Sequence, residues 1–154
     1  MLTPGQLQKE NAAWVAKNFG PGHQYQPLLG MIEELGELLS ATDRWDVPEI
    51  KDALADTIVF MSDFCTKRGW DFEKLWTGVA SDMTLVGAAK DVDLMVRDAF
   101  RALAKVAHHQ LKMEQNIRGD ASAHDAAAAR EIQTVIFKLE AAAKHFGWTL
   151  MEIT

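Results

Sequence analysis

Six carboxylates, set in two short strings rich in apolar residues, constrain this chain more than any other feature. The first string, EELGEL, carries Glu33, Glu34 and Glu37; the second, EIKDALAD, carries Glu49, Asp52 and Asp56. At about 100° per residue, Glu33, Glu37 and Glu34 fall within an arc of roughly 100°, and Glu49, Asp56 and Asp52 within roughly 60°. Leu28, Leu29, Ile32, Leu35, Leu38 and Leu39 surround the first set, and Leu54, Ile58, Val59 and Met61 follow the second. Each helix therefore has an apolar face to bury, and the two should pack together. That packing gathers up to six negative charges in one place, which calls for a cation, magnesium above all. A solvated acidic face is the plainer alternative, but such faces usually set Lys or Arg three or four residues from each Glu. Here Glu33 has Glu37 at i+4, no base lies between Ile32 and Thr42, and only Lys51 interrupts the second cluster.

A chain of 154 residues can bury one good core or two small ones. The composition, 48% apolar and 25% charged, is that of a soluble globular protein. A net charge of −6 and a pI near 5.3 argue against a nucleic-acid polymer or an anionic membrane as partner. They leave room for a nucleotide whose phosphates a metal neutralises. Cys65, alone of its kind, excludes an internal disulfide, fits a reducing compartment and lies in an apolar stretch as a core residue. The N-terminus has no apolar signal region and no apolar run approaches about 18 residues, so the expected location is cytoplasmic.

Helical periodicity runs nearly throughout. Thr3-Pro4-Gly5-Gln6 is a capped start. The first helix runs to about Asn18 and presents Leu7, Trp14 and Val15, with Trp14 expected in the core. FGPGHQYQP is a loop. A second helix starts near Pro27 and runs to about Thr42; Asp46 caps a third that ends at Gly69. Asp71 caps a short fourth, Phe72 to Thr77, and GVASDMTLVGAAKD connects two halves. A long helix from about Val92 to Gln115, the loop NIRGDASAH and a last helix from about Asp125 to Phe146 follow. No segment alternates as a strand does, so the expected fold is all-α. The halves look related: Gly69-Trp70 matches Gly147-Trp148, and TIVF resembles TVIF one residue out of register.

Taken in order, these segments resemble the MazG-like, all-α nucleoside triphosphate pyrophosphohydrolases. QLQKENAAWVAKNFG is similar to that family's opening helix, YQPLLGMIEELGELLSA to its EExxE helix, and EIKDALADTIVFMSDFCTKRGWDFEKL to its second acidic helix, over most of residues 6 to 75. The resemblance implies a MazG-like helical bundle that uses Mg²⁺, with Mn²⁺ as a substitute. It implies cleavage of a (d)NTP to (d)NMP and pyrophosphate. In the second half, HHQLKMEQNIRGDASAHDA resembles the loop that joins the acidic helices in single-domain members, and which the first half lacks. Arg101, Ala102 and Lys105 stand there in place of Glu33, Glu34 and Glu37, and Arg130 and Thr134 in place of Asp52 and Asp56, so no second metal site is expected. Because single-domain members generally dimerise, the resemblance implies a fused pseudo-dimer. Residues 1–80 would be the catalytic repeat and 91–154 a degenerate repeat packed on it as one compact unit. Two such chains could pair as a homodimer forming a pseudo-tetramer.

The resemblance assigns Glu34 as general base and Glu33, Glu37, Asp52 and Asp56 as ligands, though Glu33 and Glu34 could exchange roles. Many members carry a Glu three residues before the last Asp, where this chain has Ala53; Asp52 or Glu49 is the substitute. A base pocket needs aromatic or amide groups. Trp45 is the stacking candidate, with Tyr25 and Gln26 at the mouth of the same helix. Lys112 and Arg118, on the retained segment of the second half, are expected to reach the triphosphate, the alternative being ordinary solvated side chains. Trp70 and Trp148 are expected to anchor helix ends, the adjacent His108 and His109 to face different ways, and His23 to be solvated. A nucleoside triphosphate is the expected partner. Two other classes fit the same residues: a catalytically weak nucleotide-binding or regulatory module, and a structural bundle whose acids hold no specific metal.

Overall fold

Helix ends fall where the capping residues put them. The computed structural model describes the backbone of residues 1–83 and 87–154, with the side chains of all these except 80–83. Helix α1 (Pro4–Asn18) opens on a reciprocal box, in which Gln6 N donates to Thr3 Oγ1 at 3.2 Å and Thr3 N to Gln6 Oε1 at 2.8 Å. Helix α2 (Tyr25–Arg44) ends on Trp45, a left-handed residue at φ 54°. Helix α3 (Val47–Arg68) starts on the Asp46 carboxylate and stops at Gly69, φ 70°, where a side chain would be strained. Helices α4 (Phe72–Met83), α5 (Val92–Gln115), α6 (Ala121–His145) and α7 (Leu150–Ile153) complete the order, and no strand occurs among the described residues.

Four boundaries differ from the sequence expectation. Helix α2 begins two residues early, at Tyr25, because Pro27 fits inside a first helical turn. Helix α4 runs through Gly78 to Met83: buried Phe72, Trp76 and Val79, at i, i+4 and i+7, give it an apolar face. That leaves little of the expected connection; its residues 84–86 lie outside the described residues. Helix α6 begins at Ala121, capped by Asp120, so the loop before it is shorter than the composition of NIRGDASAH suggests. Helix α7 was not anticipated, although Thr149 and Glu152 form a capping box legible in the sequence. Its first amide, Leu150 N, donates to buried Glu140 Oε2 at 2.9 Å.

Two helical hairpins carry the architecture. Helices α2 and α3 are joined by Trp45 and Asp46 alone and so run antiparallel; α5 and α6 form the second pair. Helix α1 packs on α3, α4 chiefly on α6, α7 on α3, and α2 against α5. The α2–α5 pair is antiparallel: Gln24 Nε2 donates to Glu114 Oε1 at 2.9 Å at one end, and Asp43 acts on Arg97 at the other. A single apolar core runs through both hairpins, from Met31, Leu35 and Ile58 to Val96, Leu103 and Ile136. Gly30 allows the α2–α3 seam to close, since a Cβ there would lie 2.4 Å from the Phe60 ring. Where α3, α5 and α6 meet, the Arg68 guanidinium pairs with Asp125, donates to Gln110 Oε1 at 2.9 Å, and lies 5.1 Å from the Trp70 ring centre. Trp70 Nε1 also donates to Asp125, so this tryptophan does anchor a helix end. Among the described residues no helix is long and apolar enough to cross a membrane.

Candidate active site on the α2–α3 seam

The seam sorts the six acids into two groups. Glu33, Glu37 and Glu49 line an open cleft of about 470 Å³ together with Ser40 and Arg44. Glu34, half-buried, is not part of that lining: its carboxyl is raised from 4.5 to about 7, first by burial, then by the charges of Asp56, Glu37, Glu33 and Asp52. Asp56 is also raised, by burial and then by Asp52. Glu49 is not among the charges acting on either group. Of the two substitutes for the missing Glu, Asp52 acts on Glu34 and Asp56, and Glu49 shares the cleft with Glu33 and Glu37. Ala53 itself is buried in the core at 3% exposure.

No base is paired with these acids, although Arg44 lines the cleft beside three of them. Among the described residues none of the six carboxylates has an ion-pair partner. Lys51, the base inside the second string, turns its ammonium over the Trp148 ring at 5.6 Å instead. The donor set suits a hard divalent cation: oxygen only and like-charged. Yet among the described residues no three acidic, imidazole or thiolate groups are arranged to hold a metal ion. The acids fit by chemistry and charge, as an open set rather than a closed cage.

Beside Glu34's neighbour Asp56 lies a groove of about 450 Å³, which the sequence did not disclose. Asn11, Trp14, Val15 and Phe19 of the α1 region form one wall, Val59, Phe60, Asp63 and Lys67 of α3 the other, with Gln26 and Pro27 at the end of α2. Trp14 was expected in the core; it is 57% exposed, its ring edge-on to Phe19 at 5.3 Å. Helix α1 buries only Pro4 and Leu7 and docks through amides, which leaves Trp14 free for the groove. The signal in the sequence is two aromatic residues, Trp14 in the last turns of α1 and Phe19 just past its end, before a Gly-Pro loop.

Other expected site residues scatter. Gln26 does line the groove with Asp56. Tyr25 stacks on His23 at 4.6 Å, and its hydroxyl is raised by burial and by Glu114, on the α5 side. Trp45 meets His145 at 5.7 Å and Phe146 at 5.6 Å, at the end of α6 rather than in the groove. Lys112 donates to Gln115 Oε1 at 3.1 Å, level with the start of α2, and Arg118 sits in the α5–α6 loop. Neither is among the charges acting on Glu34 or Asp56, so the structure does not bring these cations onto the acids. Their loop is held elsewhere: His124 Nε2 lies 2.9 Å from the Arg118 carbonyl and its Nδ1 3.0 Å from His109 Nδ1. The base found with the acids is Arg44, seven residues beyond Glu37 and thus on the same helix face. Cys65 is fully buried, its thiol pushed up to about 12, as a core residue should be.

No family model matches the chain, and neither does any curated protein or solved structure.

Proposed function

We propose that this chain is a Mg²⁺-dependent nucleoside triphosphate pyrophosphohydrolase of the MazG-like kind, converting a (d)NTP to (d)NMP and pyrophosphate. The observation that carries the proposal is Glu34: a carboxyl held at about 7, beside Asp56, where Asp56 borders an aromatic groove wide enough for a nucleobase. A group with that proton affinity is a general base poised at neutral pH.

Trp14, Phe19 and Phe60 supply the flat apolar surface that a base ring needs. With the base seated there, the phosphates extend past Asp56 onto the α2–α3 seam. Glu34 takes a proton from water as the water oxygen bonds to the α-phosphorus. The bond from that phosphorus to the bridging oxygen breaks, and pyrophosphate departs. Arg44, in the cleft with Glu33, Glu37 and Glu49, offers the leaving group a cation. Glu33, Glu37, Asp52 and Asp56, with Glu49 beside them, would hold Mg²⁺ and leave Glu34 to take the proton; the ion would supply charge neutralisation and a more acidic water.

The fused pseudo-dimer belongs to the same proposal. It is supported by the matched pairing of α1 on α3 and α4 on α6, with α2 against α5 between the hairpins. On that pattern α4 goes with the second half by packing, although residues 1–80 include most of it. A catalytically weak nucleotide-binding module is the second reading, favoured by the open ligand set and by Ala53. Incubation with Mg²⁺ and each common NTP and dNTP, beside Glu34→Gln, separates the two. NMP and pyrophosphate absent from the variant reaction is the expected result. NDP and phosphate, or no turnover at all, would sink the hydrolase proposal as stated.

A further inference from the structure

The groove has a hydrogen-bonding polarity that the neighbouring side chains fix. Asn11 Nδ2 donates to the Val59 carbonyl at 2.9 Å and to Ser62 Oγ at 2.8 Å. A carbonyl oxygen only accepts, so the amide must present its nitrogen to Val59. Ser62 spends its own hydrogen on the same Val59 carbonyl, at 2.8 Å, and so accepts from Asn11. Both amide hydrogens are thereby consumed. Asn11 lines the groove with Oδ1 as its remaining polar atom, an acceptor to which no donor among the described residues is assigned.

The opposite wall is mixed, with the Lys67 ammonium beside the carboxylates of Asp56 and Asp63 and the Gln26 amide at the end of the groove. Asp63 takes both its bonds from Lys67 Nζ, at 2.7 and 2.8 Å, and Asp56 has no donor at all among the described residues. An exocyclic amino group brings two hydrogens to such a wall. A keto oxygen in its place sets lone pairs against the lone pairs of Oδ1 and loses that bond.

We propose that this groove selects bases bearing an exocyclic amino group over their keto counterparts, cytosine over uracil and adenine over hypoxanthine, with Asn11 as the residue that sets the preference. The inference rests on taking the groove as the base site of the proposed hydrolase. A hydrogen-bonding site rejects the analogue lacking the group more strongly than an apolar pocket rejects a methylene. Because this groove is half open, the expected preference is about tenfold to a hundredfold for each pair.

Calorimetric titration of the whole chain in Mg²⁺ buffer with dCMP against dUMP, and dAMP against dIMP, measures binding without turnover. Steady-state kcat/KM for dCTP against dUTP measures the same ratio in the reaction. Preference for the amino member of each pair is expected in both, and Asn11→Ala should abolish the ratio by lowering dCMP affinity more than dUMP affinity. A purely structural role would lower both members together. Equal binding in the wild type overturns the inference, while turnover of both triphosphates would still uphold the hydrolase. Binding preference without hydrolysis does the reverse. A preference that survives in Asn11→Ala overturns the role of that residue. If the variant does not fold, the wild-type ratios alone decide, and binding of no nucleotide overturns the base site itself.

Discussion

Replacing Glu34 with Gln should make the protein more stable, and only at neutral pH and above. The folded state holds the Glu34 proton more tightly than the unfolded chain does, about 7 against 4.5. Between those values folding takes up a proton, so stability falls as pH rises. Below 4.5 the group is neutral in both states, and above about 7 it is charged in both, so the full penalty stands only on the alkaline side. At about 1.4 kcal/mol per pH unit the nominal penalty is about 3 kcal/mol. The carboxyl is only half-buried, and solvent screening leaves about 1 kcal/mol. For a domain of this size that corresponds to a rise of about 3 °C in Tm. Thermal unfolding of wild type and Glu34→Gln, followed by circular dichroism at pH 4 and pH 8, reads it directly. The gain should appear at pH 8, vanish at pH 4, and shrink when Mg²⁺ stabilises the wild type. An equal gain at both pH values would mean a packing effect, and a loss at pH 8 would mean that the charge of Glu34 is stabilised rather than strained.

Gly30→Ala sets a methyl 2.4 Å from the Phe60 ring and should cost about 1–3 kcal/mol in urea denaturation, since the seam must part to admit it. Arg68→Met strips Gln110, Asp125 and the Trp70 face of their shared cation, and should cost about 1–3 kcal/mol. The same change made in an Asp125→Ala background should cost measurably less. Cys65 should resist a thiol reagent at pH 8 in the native protein and react fully in denaturant, because its thiol is buried and held at about 12. Labelling in the native state would place that segment of α3 outside the core.

Helix positions were legible because their signals are local. Thr3, Asp46, Gly69 and Asp91 each act on amides or carbonyls within a few residues, and the sequence displays them. Helix α4 outruns its sequence expectation because the partner that carries it past Gly78, α6, lies far along the chain. Gln133 Nε2 reaches across to the Leu75 carbonyl at 3.2 Å beside that glycine. The coupling of Glu34 with Asp52 and Asp56 follows from helical spacing plus one hairpin, and so could be anticipated. The groove could not. It depends on Asn11 finding Val59 and Ser62, a choice made by tertiary packing. Trp45 misled for a related reason: its proximity in sequence to the acids hides a left-handed turn that swings it onto His145 and Phe146.

The amide docking of α1 gives the groove one stiff wall and one compliant wall. Helix α3 is rooted in the core by Ile50, Leu54, Ile58 and Phe64, all fully buried. Helix α1 is instead riveted at a few polar points: Gly5 N to Glu73, Gln8 to the Trp70 carbonyl and the Phe72 amide, and Asn11 to α3. Lifting such a helix costs far less than unfolding the domain. In the proposed hydrolase the compliant wall would absorb the difference in width between purine and pyrimidine rings, while Asp52 and Asp56, on the stiff wall, would keep their distance from the reacting phosphorus. Breadth across ring size and strictness about where the chain of phosphates is cut would then come from opposite sides of a single cleft.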